Sequence, residues 1–150
     1  MFCIVHALLG SLIGEYFSSM FIVIFLGVLS HFLLDLIPHW NGPYDKDNFK
    51  YFYSVKFNKI NVYLVITDLL ATIFLLFILH EKFHSHLMIF GAIAAILPDV
   101  ANIGYFTKLK HKKNYKKLLY FHSNIQGEST VLLGILTQLI IVIVIMKIIF

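Results

Sequence analysis

His31, Asp35 and His39 lie four residues apart in an otherwise apolar, helix-length stretch, Gly27-Val-Leu-Ser-His-Phe-Leu-Leu-Asp-Leu-Ile-Pro-His. Side chains four apart share one side of an α-helix, so two imidazoles and a carboxylate converge on one face. An ionised Asp in the middle of a bilayer costs about 2.5–3.5 kcal/mol, so such a group needs a partner. The arrangement suits metal chelation or proton transfer. It equally suits a buried hydrogen-bonded pair that fixes helix packing. Elsewhere His6, Asp68, Asp99 and His122 interrupt or border apolar stretches in the same way. Imidazole nitrogen and carboxylate oxygen are ligands for zinc, manganese or iron, and Cys3, the lone cysteine, excludes a thiolate zinc site and a disulfide framework.

The elements that carry these residues are apolar. The chain has 150 residues, 59% hydrophobic and 13% charged, with a mean hydropathy of +0.84. A soluble domain is nearer 45–50% apolar and about 25% charged. The composition therefore predicts an all-α, multi-pass transmembrane bundle in one domain spanning 1–150. Five segments are expected to cross, at about 1–17, 20–38, 61–79, 87–103 and 129–147. No lysine precedes the first apolar run, and no cleaved leader is expected. All twelve basic residues are Lys. Lys46, Lys50, Lys56, Lys59, Lys108, Lys110, Lys112, Lys113, Lys116 and Lys117 fall on one side of such a bundle, and only Lys82 and Lys147 on the other. Ten against two places the N-terminus and the 40–60 and 104–128 segments in the cytoplasm.

This topology puts His6, His31, Asp35, His39, Asp68, Asp99 and His122 in the inner half of the bilayer. Scattered structural ion pairs have no reason to share a depth. Small residues mark the packed faces: Gly10 and Gly14 follow His6 at intervals of four, Gly27 precedes His31 and Asp35, and Gly91 and Ala95 precede Asp99. Gly27-to-Asp35 and Gly91-to-Asp99 echo one another, each with an acid eight residues after a glycine. Pro38 and Pro98 are expected to loosen both helix ends around a small polar cavity.

Several residues have plain alternatives. Asp68 can bond a neighbouring Thr or the His31 ring, Asp99 can cap a short helix, and His39 beside Trp40 can mark the interface. His122 and Glu128 flank a helix start, where an acid suits the dipole. His80, His84 and His86 read as a solvated outer turn. Lys108 to Lys117, interleaved with Tyr115, reads as a juxtamembrane segment on anionic inner-leaflet lipid rather than as a nucleic-acid site.

The block His31-Phe-Leu-Leu-Asp35-Leu-Ile-Pro38-His39 resembles the His-Phe/Tyr-x-x-Asp…Pro-x-His signature of zinc-dependent phospholipase C and related fungal single-strand nucleases. Its Asp-to-Pro spacing is one residue shorter, and no His-x-x-x-Glu partner follows. The His-Ala-Leu-Leu-Gly from His6, the Gly-x-x-Ser-His-x-x-x-Asp block and the Leu-Pro-Asp ending at Asp99 resemble small bacterial membrane-bound metal-dependent hydrolases. That resemblance implies a divalent metal, zinc first and manganese or iron otherwise, held by His6, His31, Asp35 and Asp99, with His122 and His39 as further candidate ligands. Asp68 and His39 are then the candidate catalytic groups, and a phosphoester or phospholipid the expected substrate. Two other readings stay open: a small proton- or metal-coupled transporter, and a structural membrane subunit.

Overall fold

A computed structural model describes residues 1–40, 42, 59–102 and 107–150. It is all-helical among the described residues, with six α-helices and no strand. These are α1 (Cys3–Tyr16), α2 (Met20–Asp35), α3 (Lys59–Phe83), α4 (His86–Asn102), α5 (Lys113–Ile125) and α6 (Val131–Ile149), with a 3₁₀ turn at Lys108–His111. The expected 40–60 loop, with Lys46, Lys50 and Lys56, lies almost wholly outside the described residues.

Two helices, Val62–Phe83 and Val131–Ile149, are long and apolar enough to cross a membrane. The other apolar helices are shorter. At 1.5 Å per residue, the 14 residues of α1 reach about 21 Å, against about 30 Å of hydrocarbon. The second segment ends at Asp35 rather than near Pro38, because Ile37, which precedes the proline, is pushed away from helical geometry. Pro98 does not break its helix: α4 runs through it to Asn102. The Lys-rich 104–128 segment, expected as a juxtamembrane stretch, holds α5. Lys and Leu are good helix formers, and the spacing of Tyr115, Leu119 and His122 gives that helix one inward face.

Glycine permits the close approach that sets the bundle. A Cβ on Gly10 would run into the Gly91 carbonyl, and one on Gly14 into the Leu87 carbonyl. One on Gly27 would meet the Ala94 Cβ at 2.9 Å and the Gly91 oxygen at 3.0 Å. Backbone therefore packs on backbone where α4 meets α1 and α2, the arrangement small residues allow between helices. Leu8, Leu75, Leu79, Met88, Ile145 and Ile149 form a core on one side of this crossing. His6 precedes Gly10 on α1, while Asp35 and Asp99 follow Gly27 and Gly91 on antiparallel helices. The crossing thus sends all three toward the other end of the bundle.

Candidate metal centre

Asp35 is fully buried at the last residue of α2 and is the hub of that end. Its two oxygens face different groups. Oδ1 lies 3.0 Å from the Met1 amino nitrogen, 3.3 Å from His6 Nε2 and 3.8 Å from His39 Nε2. Oδ2 lies 3.0 Å from His122 Nε2 and 3.3 Å from His31 Nε2. Asp99 closes the same space, its Oδ1 3.8 Å from His31 Nε2 and 3.7 Å from His122 Nε2. Its side chain is 23% exposed, whereas those of His6, His31 and Asp35 are fully buried, so Asp99 marks the open side.

The local chain explains each position. His31 Nδ1 is 2.8 Å from the Ala95 carbonyl, which can only accept, so Nδ1 carries the proton and Nε2 presents a lone pair inward. That carbonyl lies three residues before Pro98, whose missing N–H leaves the neighbouring Ala94 carbonyl without its ladder donor and loosens this turn of α4. The His31 and His122 Nε2 atoms stand 2.9 Å apart. His6 stacks on His31 at 4.1 Å, and both its ring nitrogens are buried without a hydrogen-bond partner; its 3.3 Å approach to Asp35 is out of line for one.

His39 and His122 are brought in by a backbone strap. The Gly127 amide donates to the Asp35 carbonyl at 2.7 Å, and the His39 amide donates to the Gly127 carbonyl at 3.0 Å. This parallel bridge ties the turn after α2 to the turn after α5. Gly127 lies where a Cβ would meet the Leu36 oxygen at 2.7 Å, and Gly134 where one would meet the Trp40 Cβ at 2.7 Å. Gln138, buried in α6, secures the strap from behind. It donates to the Trp40 carbonyl at 2.9 Å and accepts from the Phe2 amide at 2.9 Å. Burial, then the neighbouring Met1 ammonium, push the His39 pKa down to about 4, so its imidazole is neutral near pH 7.

His6, His31, Asp35, His39, Asp99 and His122 therefore meet at one end of the bundle. Asp68 faces the start of α1 beside Cys3, whose Sγ lies 4.0 Å from Asp99 Oδ2. The Asp68 carboxylate accepts from the Cys3 and Ile4 amides at 2.6 and 3.1 Å, capping the start of α1. Thr72 does bond residue 68, but at its backbone carbonyl. Gln138, Gly127 and the Ala95 carbonyl did not emerge from the sequence. Gln138 carried a readable signal, as an amide within a strongly apolar helix.

Two overlapping groups, His6–His31–Asp99 and His31–Asp35–His122, each bring three ligand atoms within 4.8 Å of one another and can hold a metal ion. The second has edges of 2.9, 3.0 and 3.3 Å. A tetrahedral site with bonds near 2.05 Å has edges of about 3.3 Å, so the three atoms lie close to one face of such a site. No protein-family model matches the chain, and comparisons with characterised proteins and with solved structures give no match.

Proposed function

We infer that the protein is a membrane-embedded, metal-dependent hydrolase acting on a phosphoester, with an amphiphilic lipid as the substrate class. The observation that carries this reading is the convergence of His31, His122, Asp35 and Asp99, with three of their ligand atoms close to one face of a tetrahedral metal site. With Nδ1 of His31 committed to Ala95, its Nε2 is an acceptor, and Asp35 and Asp99 as carboxylates also only accept. A divalent cation satisfies all of them at once, and zinc suits the imidazole–carboxylate set. When bound, it supplies Lewis-acid polarisation of a phosphoryl oxygen and water activation near neutral pH.

The chain's own groups take the remaining roles. In the hydrolysis, a water oxygen bonds to phosphorus and the ester P–O bond breaks. The water proton passes to a neutral imidazole and then to the departing alkoxide. His6, whose two ring nitrogens have no hydrogen-bond partner, is assigned as that acceptor. His39, with Nδ1 2.8 Å from the Ile37 carbonyl and Nε2 2.7 Å from the Met1 amino nitrogen, and Asp68, whose carboxylate is spent on α1, are assigned as positioning residues. Substrate enters past Asp99.

Membrane embedding is supported by the bundle's exterior. Phe21, Phe74 and Leu132 are 80%, 65% and 70% exposed, on α2, α3 and α6. In water such apolar faces would be a liability; in lipid they are solvated. All five apolar helices are assigned as crossing, with α1 and α2 drawing the bilayer in around them. The lysine asymmetry sets the site in the inner leaflet of a bacterial cytoplasmic membrane.

The test is elemental analysis of detergent-purified protein beside an Asp35→Ala/Asp99→Ala double variant. The expected result is near-stoichiometric zinc, manganese or iron in the wild type, and its loss in a variant of unchanged helix content. Wild-type protein that stays metal-free after reloading overturns the reading.

A further inference from the structure

The helix that supplies His122 is built differently from the rest. At 100° per residue, Tyr115, Leu119 and His122 fall on one side of α5, and the latter two are buried. Lys113, Lys116, Lys117 and Tyr120 fall on the opposite side, and with His111 they line an open recess of about 380 Å³. Between the two faces, Leu118 and Phe121 are exposed apolar side chains, and Phe121 meets Phe32 of α2 edge-on at 5.6 Å. A basic face flanked by an apolar one is the pattern of a helix lying in a membrane interface.

Helix α5 is attached to the bundle along its inward side and, just past its C-terminal end, by the Gly127 strap to α2. The Tyr115 hydroxyl donates to the Ala101 carbonyl at 2.8 Å, Phe121 and His122 lie against Phe32, and His122 reaches Asp35 and His31. Any force that holds α5 down therefore also holds His122 in the ligand set.

We propose that the His111–Lys113–Lys116–Lys117–Tyr120 recess binds the phosphate-bearing headgroups of anionic lipids, and that this binding raises the metal affinity of the buried site by seating His122. The proposal rests on the metal reading above. Exposed lysines are drawn to an anionic leaflet and released by salt, which gives the charge complementarity. Linkage then requires reciprocity: lipid that favours the docked α5 tightens metal binding, and metal favours lipid engagement by the same factor.

The experiment is a zinc titration, against a competing chelator, of the full chain in nanodiscs of phosphatidylcholine or of phosphatidylcholine with phosphatidylglycerol. An anionic surface also concentrates zinc, so the quantity read is the affinity gain of the wild type divided by that of Lys113→Gln/Lys116→Gln/Lys117→Gln. A ratio of about tenfold is expected, shrinking as salt rises. His122→Ala, which keeps the other ligands, should bind more weakly and show a ratio near one. Equal gains in the wild type and the lysine variant overturn the coupling while leaving the metal site standing. Absence of zinc binding in every disc overturns the metal reading, and the coupling with it. Soluble glycerol phosphate added to neutral discs should change nothing; if it reproduces the gain, a free phosphate ester replaces lipid as the ligand and the lipid proposal falls.

Discussion

Replacing Gln138 by Leu tests whether the strap behind the site is held as described. The amide makes two bonds between elements, to the Trp40 carbonyl and from the Phe2 amide, both at 2.9 Å, and one to the Gly134 carbonyl of its own helix at 3.1 Å. Leu fills similar volume but leaves Phe2 and Trp40 without these partners. Interhelical hydrogen bonds in membrane proteins contribute about 0.6 kcal/mol each, and at most about 1.7. A buried group left unsatisfied costs about 1–3 kcal/mol. Two such bonds, in a site only 3% exposed, give an expected loss of about 1–3 kcal/mol.

The measurement is equilibrium unfolding of metal-free protein in mild detergent, so that changes at the ligands do not enter. Thr137→Leu is the matched control, since the Thr137 hydroxyl bonds only the Leu133 carbonyl of its own helix on an exposed face. At about 2–4 °C per kcal/mol for a chain of this size, Gln138→Leu should melt roughly 2–12 °C below that control. If the two variants unfold together, the strap does not hang on Gln138, and the placing of His39 beside Asp35 loses its support.

Three further outcomes follow from the geometry. Gly10→Ala forces a methyl group onto the Gly91 backbone and Ala95, whose Cβ would lie only 2.8 Å away, so it should cost about 1–3 kcal/mol in the same unfolding assay; wild-type stability would refute the backbone-on-backbone crossing. Asp68→Asn should lower stability by about 0.3–1 kcal/mol through the weakened α1 cap yet keep the metal in elemental analysis, and loss of metal would move Asp68 into the ligand set. His39 is neutral in the folded protein down to about pH 4, whereas in the unfolded chain it takes up a proton below its ordinary 6.5. Its contribution is therefore intact above pH 6.5 and lost as pH falls from 6.5 to 4. Metal-free His39→Gln should lose less stability across that window, and parallel curves would refute the assignment.

What the sequence made legible was the set of polar residues that apolar helices cannot carry alone. His31 and Asp35 stand out as ionisable groups within an apolar helix, and their spacing fixes a shared face. The glycine and alanine intervals beside His6, Asp35 and Asp99 identified the faces where helices meet. The strap was not legible, because it depends on backbone groups of Asp35, His39 and Gly127 that any sequence possesses. Asp68 was readable as a buried acid but not as a cap, since its partners belong to a helix more than sixty residues away in the chain. The helix α5 was hidden by its charge: its inward side is only Tyr115, Leu119 and His122, too few apolar positions to stand out among the lysines.

The packing also bears on hydrolysis against transport. A carrier needs polar groups from one face of the membrane to the other. Here the ligands lie at the start of α1 and the ends of α2, α4 and α5. Met88 begins the opposite end of α4, eleven residues before Asp99, or about 16 Å along the axis. Leu8, Leu75, Leu79, Ile145 and Ile149 fill that end around it. Ser30 and Thr72 bond carbonyls of their own helices, which leaves Ser11 and, toward the other end, His80 as the described groups beyond the ligand end with an unpartnered buried polar atom. Moving a cation through this half would mean pulling apart helices that touch backbone to backbone at Gly10 and Gly91. The reaction proposed above, confined to one end of the bundle, requires no such opening, only access past Asp99. That asymmetry is the physical reason to prefer a reaction at the site over passage through it.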